Sequence, residues 1–503
     1  MAIISQDQYN VVKQRYRKVL IKINLLNFNF QVVDSIEGNL TSGSITINAN
    51  SDIRRTCNIT IVVKNHTFKI SSGGQIWLDK YIQVYYGIVN NTNNDIVWTN
   101  MGIFLINNPD HVYDSVNNTI TFQGVDLMAK LTGIRNGYFE WLNGVIPQQI
   151  NEEDGTLRDI FIDLLEQAGF TRYNIENLVY LNGDIIKLPY DVEISATSTL
   201  YDVFNEIRNN VLPNYEMFFD VDGVFHLKKI YNTASDPIII NNDIFDKTIM
   251  NISNDIDFEN VKNAIEIWGQ TLEPVYGNPI CGITNNSQFG DVWFCEIQAI
   301  KSFEFLPENS YIGFGISSSI FTHTSYLYID GFQPYQILDE NNNPVYFEQP
   351  QADSMDYYIV IFESEENNGG HFRLIGNQQV YCYIEDDIPE SPFYVNGTIG
   401  KILLPLAGGE YDIIQTREQA YERALYELYN YARMNDNIRL TSVIIPWVDV
   451  NQKIEYINED AEISGIFIIK SISMNLDIGG VMTLECMRWY DYEPDKYPWE
   501  DGS

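Results

Sequence analysis

The chain has 503 residues, 45% of them hydrophobic and 20% charged, so it is long enough for three or four domains that each bury a core. Its 31 basic and 68 acidic residues give a formal charge of −37, which argues against a nucleic-acid-binding surface, because such surfaces are basic. No apolar run approaches about 18 residues and residues 1–10 lack a signal-peptide core, so we expect no membrane insertion and no conventional export.

Residues 20–125 show the two-residue alternation of β-strands. Ile45 and Ile47 alternate with polar neighbours, and one parity between Ile76 and Ile88 is apolar apart from Lys80. Polar turn clusters separate these runs, as is typical of a barrel or sandwich. We therefore predict a first β-barrel domain over residues 1–130.

Arg54 and Arg55 form the only adjacent arginine pair in this acidic chain, at the start of a strand. Such a pair can make local ion pairs on the barrel surface, or bidentate contacts between subunits to an acidic neighbour. Both interpretations remain open, and both residues are candidate interface residues.

The period of the pattern changes after the first meander. An amphipathic helix follows Thr156, and a second begins near Ser198 and ends at Pro213. Residues 218–225 are typical of a hairpin around an Asp-Gly turn. These elements predict an α+β module over residues 131–250.

The strand pattern restarts in residues 251–270, which we expect to begin a second β-barrel. Residues 271–404 are irregular, rich in Gly, Asn and Tyr, and show no long helical pattern. They predict a β-rich peripheral insertion.

A capped amphipathic helix follows. Thr416 and Gln419 have the spacing of a capping box. Ala420, Ala424 and Leu428 recur at helical spacing and continue to Tyr431. Because the two alanines are small, this stripe predicts close packing on a flat partner such as a sheet.

The last regular element is a long hairpin. Apolar and polar residues alternate over 471–478, Gly479-Gly480 provides a tight turn, and the chain returns to Tyr490. Together with the helix it predicts the second β-barrel over residues 405–490, followed by an acidic tail at 491–503. Core packing and interface anchoring are both open for Trp447 and for the cluster Arg488, Trp489 and Tyr490. All four are candidate interface residues.

A turn at Pro446-Trp447 lies between this helix and the hairpin. The order of capped helix, Pro-Trp turn and long hairpin resembles the C-terminal barrel of tail hub proteins from long-tailed bacteriophages. Residues 53–60, 77–86, 102–106 and 122–127 resemble the N-terminal barrel of that family. Residues 212–223 resemble a segment in which the family's chain turns at acidic residues and a glycine. The resemblance covers residues 15–270 and 405–490.

This resemblance implies a mainly β fold with two β-barrel domains forming a ring element, an α+β module and a β-rich peripheral domain. It also implies a homotrimer that closes the tail tube in a baseplate hub or tail tip, adapts six-fold to three-fold symmetry and forms the DNA passage. The implied partners are the tail tube or distal tail protein, the tape measure protein, and spike or tail-tip proteins. The implied location is the virion tail, after assembly in the host cytoplasm.

Sequence patterns for chemistry are missing. The five histidines are isolated, the five cysteines lack CxxC spacing, and no glycine-rich phosphate loop occurs. The acidic stretch 339–343 fails as a calcium loop, since Pro344 and Pro350 occupy its glycine and glutamate positions. We predict no catalytic, cofactor-binding or metal-binding residues, no cofactor and no enzymatic activity.

The acidic balance has two interpretations. It serves solubility, or it lines a channel from which carboxylates repel DNA over a Debye length of about 8 Å, without specific nucleic-acid binding.

Two other functions remain as alternatives. The aromatic block 271–404 suggests a receptor- or carbohydrate-binding tail protein. A cell-wall hydrolase is less favoured. Among 68 acidic residues some pair always lies close together, so a close pair of carboxyl groups is not evidence for glycoside cleavage. The sequence leaves open contractile or non-contractile tail, and virus or tail-like bacteriocin.

Overall fold

The computed structural model divides the chain into two compact units. Unit 1 comprises Met1–Val261 and Tyr429–Ser503, and unit 2 comprises Lys262–Leu428. The residues that the structure describes are 4–37, 40–62, 70–74, 76–113, 118–139, 144–149, 155–180, 183–230, 236–271, 276–277, 280–286, 290–297, 325–329, 335–337, 360–363, 371–374, 379–389, 391–415, 417–433, 435–477 and 479–489.

The first part of unit 1 contains fourteen described strands and four helices. In chain order they are α1 (Gln6–Val12), β1 (Val19–Leu26), β2 (Val32–Glu37), β3 (Leu40–Asn48), β4 (Arg55–Val62), β5 (Tyr81–Val89), β6 (Ile96–Tyr113), β7 (Asn118–Val125), β8 (Gly144–Ile146), α2 (Leu157–Gln167), β9 (Tyr173–Ile175), β10 (Val192–Ile194), α3 (Leu200–Val211), β11 (Tyr215–Phe219), β12 (Phe225–Lys229), β13 (Ile238–Ile240), α4 (Asn242–Thr248) and β14 (Ile249–Asp257). A 3-10 helix at Leu127–Lys130 follows β7.

Unit 2 contains short strands, and unit 1 resumes after it. The elements are β15 (Ala264–Thr271), β16 (Tyr276–Gly277), β17 (Ile280–Asn286), β18 (Gly290–Ile297), β19 (Ser325–Ile329), β20 (Tyr335–Ile337), β21 (Val360–Glu363), β22 (His371–Leu374), β23 (Gln379–Glu385), β24 (Leu403–Ala407), α5 (Arg417–Tyr431), β25 (Asn435–Val443), β26 (Lys453–Asn458), β27 (Ile463–Asn475) and β28 (Val481–Arg488). A 3-10 helix at Gly409–Tyr411 precedes α5.

The predicted mainly β fold is confirmed, and its largest element is a 13-stranded sheet. The strand order is β14-β25-β28-β27-β3-β4-β7-β6-β5-β1-β2, with β26 and β13 attached beside β27. The strands expected in the first barrel and those expected in the second therefore belong to one sheet. Closure of each set into a barrel stays a prediction.

One strand pair joins the two sets. Ser471–Asn475 of β27 pair antiparallel with Asn48–Ser44 of β3, while β27 also pairs with β28. β27 is long enough, at 13 residues, to continue on both neighbours. The N-terminal and C-terminal parts of the chain are thus hydrogen-bonded into one structure.

The core of this sheet lies on one face, because every second side chain points the same way. Ile45, Ile59, Phe122, Ile472 and Leu484 are all at most 2% exposed and belong to one hydrophobic cluster. Cys57 and Cys486, expected in the core from their strand patterns, are buried in the same cluster.

The α+β module has the predicted helices and hairpin. Thr156 and Thr199 are the N-caps of α2 and α3 and form capping boxes, so the second helix begins near Ser198 as predicted. β11 and β12 pair around the Asp-Gly turn, where Gly223 has a φ of +72°. A second hydrophobic cluster combines α2, α3 and this hairpin with Leu26 and Leu105 of the meander.

β5 begins later than the alternating pattern suggested. It starts at Tyr81, and the preceding Trp77 and Leu78 are exposed. Lys80, which interrupts the pattern, stands directly before the strand.

In unit 2 the described strands form three small sheets, β23-β15-β24, β16-β22-β21 and β17-β18-β19-β20. The expected start of the second barrel is divided between the units. β14 pairs with β25 as expected, whereas Ala264–Trp268 pair with β23 and, in parallel, with Leu403–Ala407. The acidic stretch at 339–343 lies outside the described residues.

The predicted C-terminal helix and hairpin are present. Ala420, Ala424 and Leu428 of α5 are fully buried, and Gly479 has the positive φ, +77°, that the β27–β28 turn requires. The capping role of Thr416 lies outside the described residues. No helix in the described parts of the chain is long and apolar enough to cross a membrane.

Candidate assembly site

Arg54 and Arg55 lie at the centre of a buried ionic cluster in unit 1, which we call the arginine node. It comprises these two residues with Asp126, Glu216 and Asp449. β4 begins at Arg55, whose side chain lies on the same face of the strand as that of the buried Cys57. Arg54 immediately precedes the strand, and its side chain is buried as well. Arg54 is 5% exposed and Arg55 is 1% exposed.

Arg54 binds three groups from distant parts of the chain. Its Nη1 donates to Glu216 Oε2 at 2.9 Å, and its Nη2 donates to the Val450 carbonyl oxygen at 3.1 Å. Its guanidinium group lies 3.8 Å from the centre of the Phe218 ring, which is a cation–π contact. Arg54 therefore ties β4 to β11 and to the turn after Trp447.

Arg55 holds the same elements together from the adjacent position. Its Nη1 donates to the Phe219 carbonyl oxygen at 2.6 Å, and its Nη2 bonds the Asp449 carboxylate. Its backbone N–H donates to Asp126 Oδ2 at 2.9 Å, while Asp126 Oδ1 accepts from Met128 N and caps the 3-10 helix.

The environment of each charged group in and beside the node shifts its pKa. Burial alone would raise the pKa of Glu216 and of Asp449. Arg54, Lys228 and a hydrogen bond from Asn451 outweigh burial at Glu216, and hold its pKa below the usual range. Arg55 and Arg54 do the same for the pKa of Asp449. Asp126 lacks such a side-chain partner, and burial raises its pKa to about 6 despite two backbone hydrogen bonds. Burial and Arg433 lower the pKa of Lys470, beside the node, to about 8.

The node explains how the α+β module is fixed on the sheet. A buried ion pair contributes little net stability when complete, but removing one partner leaves an uncompensated charge at a cost of about 3–5 kcal/mol. The arginine pair forms ion pairs within the chain, as the first interpretation expected, but both side chains are buried in the node and do not lie on a barrel surface. Contacts of these two arginines to another subunit stay a prediction, and both side chains are already engaged internally.

The aromatic candidates occupy different places. Trp447 is partly buried and packs against the main core, and its buried indole N–H has no acceptor among the described residues. Lys453 Nζ lies 3.8 Å from the centre of the Trp489 ring. Tyr490 lies outside the described residues.

Arg488 is bound within the chain at the end of β28. Its Nε donates to Asp436 Oδ2 at 2.6 Å and its Nη1 to the Ser464 carbonyl oxygen at 3.0 Å, and it lies over the Phe467 ring. The structure thus brings Arg488 and Trp489 to one strand end, whereas Arg54 and Arg55 lie in the node.

Sequence reasoning missed the acidic half of the node. Glu216 stands in a strand whose five residues, Tyr215–Phe219, are all buried. A carboxylate inside such an apolar run signals a buried charge that needs a cation, because unpaired buried charges are costly. Asp449 and Asp126 carry no comparable signal.

The described residues contain no group of three His, Cys, Asp or Glu side chains placed to hold a metal ion. The geometry of the node is that of a structural joint: every carboxylate in it accepts hydrogen bonds from the chain itself.

Comparison with known proteins gives a short family match and several similar structures. Residues 390–492 match the model of a domain of unknown function (DUF5048). No curated protein matches the sequence.

Three solved structures illustrate the similarity. The 43 kDa tail protein of prophage MuSo2 from Shewanella oneidensis is 11% identical, with a TM-score of 0.48 over 93% of this chain and 98% of that one. A tail protein from Neisseria meningitidis MC58 is 9% identical, with a TM-score of 0.49 over 95% and 99%. Prophage tail protein gp18 from Listeria monocytogenes EGD-e is 10% identical, with a TM-score of 0.41 over 93% and 94%.

The chain is similar to phage tail proteins. The alignments with these three structures cover 93% or more of this chain, whereas the DUF5048 match covers residues 390–492.

Proposed function

We propose that this protein is a structural hub subunit at the end of a phage or phage-like tail, in a baseplate or tail tip. Three copies form a homotrimeric ring that closes the tail tube, and DNA passes through its centre. The ring binds the tail tube or distal tail protein on one side and spike or tail-tip proteins on the other, with the tape measure protein inside. It is assembled in the host cytoplasm and resides in the virion tail.

The observation that carries this proposal is the single sheet built from two sets of strands. One set comes from the N-terminal meander and the other from the C-terminal hairpin region, and β27 pairs with β3 between them. Three chains with two such sets each supply six strand sets around one axis. A closed head-to-tail ring of this kind can meet six-fold symmetry on one side and three-fold symmetry on the other.

The arginine node supports a structural role for the chain. It holds the α+β module on the sheet through arginine side chains that are buried and bound to other groups of the same chain. We propose that the protein acts by shape and contact, without catalysis.

The test is the copy number of the chain in purified particles, measured by quantitative mass spectrometry against the tail tube protein. We expect three copies per tail, and a mass of three times 58.0 kDa for the ring released from the particle. Six copies, or a number that grows with tail length, would contradict the hub. Incubating the particle-derived ring with peptidoglycan tests the enzyme alternative, and turnover above that of a mock preparation would overturn the non-catalytic role.

A further inference from the structure

The exposed face of the main sheet carries a row of hydroxyl side chains that crosses five strands. Thr441, Thr483, Ser473, Thr46 and Thr56 lie opposite one another on β25, β28, β27, β3 and β4. At the usual strand spacing of about 4.8 Å, the row is about 19 Å long. All five side chains are at least partly exposed.

A second row lies two residues along β27, β3 and β4, continues onto β7 and β6, and is equally free of charge. Asn475, Ser44, Asn58, Gln123 and Asn107 lie opposite one another on β27, β3, β4, β7 and β6. We call the ten residues of the two rows the neutral band. The alternate residues of the central strands form the buried core, so the band is the outer face of a rigid, packed sheet.

Charge is excluded from the band, although one residue in five of this chain is charged. Charged side chains occur at its margin, where Arg439 faces Glu485 with 4.0 Å between Nε and Oε1, and where Asp110 pairs with Thr121. Solubility alone does not explain this pattern, because charged side chains serve solubility at least as well as hydroxyl groups.

A neutral polar wall has the properties that moving DNA requires. Lysine or arginine would bind the phosphates and release counterions, which is the main source of non-specific affinity. Acidic side chains would repel the phosphates over about 8 Å and so narrow the part of the channel that DNA can occupy. Short hydroxyl and amide side chains hold a layer of water and do neither.

We propose that the neutral band is the surface past which double-stranded DNA moves during ejection. This inference rests on the proposed role of the chain in the tail channel, and names the wall of that channel. It replaces the acidic wall that the composition suggested with a wall of hydroxyl and amide groups, while the −37 charge lies elsewhere on the chain.

The test places two lysines on the band in particles whose hub gene is supplied by complementation. The variant Thr46→Lys/Gln123→Lys changes two exposed positions on different strands. The control Thr92→Lys/Ala196→Lys adds the same charge at exposed positions outside the sheet face. DNA release is triggered in purified, fully assembled particles and followed with a DNA-binding dye at low and high salt.

We expect the band variant to release DNA more slowly by a factor on the order of ten at low salt and to recover at high salt, because phosphate contacts are salt-dependent. The control should release DNA at the parental rate. Parental kinetics in the band variant would overturn the proposal.

A second measurement covers the case in which the lysine variant does not assemble. In a reconstruction of the unmodified particle, the neutral band should face the channel axis with no protein packed on it after ejection. A ring of three chains whose band faces outward, or is covered by another protein, overturns this inference and leaves the hub intact. Absence of the chain from the channel wall would instead refute the proposed function.

Discussion

Arg55, with 1% of its surface exposed, illustrates how single residues hold this fold together. Its charge is matched by Asp449, and its backbone N–H by Asp126. The sequence indicated that the arginine pair was special, but its acidic partners are 71 to 394 positions away along the chain. Contacts at such separations depend on the fold and leave no local pattern.

Truncating Arg55 should destabilise unit 1 strongly. Arg55→Ala removes the donor to the Phe219 carbonyl oxygen and one of the two arginines that pair with Asp449. The expected cost is about 3 kcal/mol in the free energy of unfolding. Arg439→Ala removes an exposed arginine and should change it by less than about 0.5 kcal/mol. Urea unfolding measures the change in the free energy of unfolding for both variants. Equal effects of the two substitutions would show that the node does not stabilise the fold.

Lys470 should make the free energy of unfolding depend on pH in the alkaline range. Its pKa is about 8 in the folded chain, below the usual 10.4 or so, because burial and Arg433 disfavour the charged amine. Between these values the unfolded chain binds more protons than the folded one, so stability rises with pH. Glu216 and Arg54 also act on the amine, and Asn451 Oδ1 accepts its hydrogen bond at 3.1 Å.

The comparison is between the parent and Lys470→Met, whose side chain cannot titrate. From about pH 7 to about pH 9.5 the urea midpoint of the parent should rise relative to that of the variant. A constant difference across this range would mean that Lys470 has an ordinary pKa.

At the scale of elements, local signals were sufficient. α2, α3 and the hairpins β11–β12 and β27–β28 follow from capping residues, helical periodicity and Asp-Gly or Gly-Gly turns. Pairing between distant elements did not follow. Nothing in Ala264–Thr271 indicates a parallel partner at Leu403–Ala407, because backbone hydrogen bonds are blind to side-chain identity.

The cap of α3 allows a direct test at this scale. Thr199 Oγ1 accepts from Asp202 N at 3.1 Å, and Asp202 Oδ2 accepts from Thr199 N at 2.8 Å. Thr199→Ala should lower the free energy of unfolding by about 1 kcal/mol. The exposed Thr197→Ala should have little effect. A Thr199→Ala variant as stable as the parent would show that α3 does not depend on its cap.

At the scale of the whole molecule, the sequence predicted two β domains, and the structure joins their strands into one sheet. The resemblance to tail hubs predicted two sets of strands, and of the residues expected to begin the second set, β14 pairs with β25 whereas β15 pairs with β23 and β24. The β27–β3 pairing that unites them, more than 400 positions apart in sequence, became visible only in the fold.

This union predicts cooperative behaviour. Amides of β3–β4 and of β27–β28 should exchange hydrogen through the same opening reaction, with the same dependence on low urea concentrations. Hydrogen exchange followed by mass spectrometry resolves the two regions as separate peptides. Independent openings with different urea dependence would show that the strand sets are separate domains.

The central claim is that each chain contributes two joined strand sets to a three-chain ring around the tail channel. A cryo-electron microscopy reconstruction of the purified particle tests it most directly. We expect three copies at the tube end, six strand sets around an open channel, and β27 beside β3 in every copy. A ring with one strand set per chain, or a chain located away from the channel, would contradict the account.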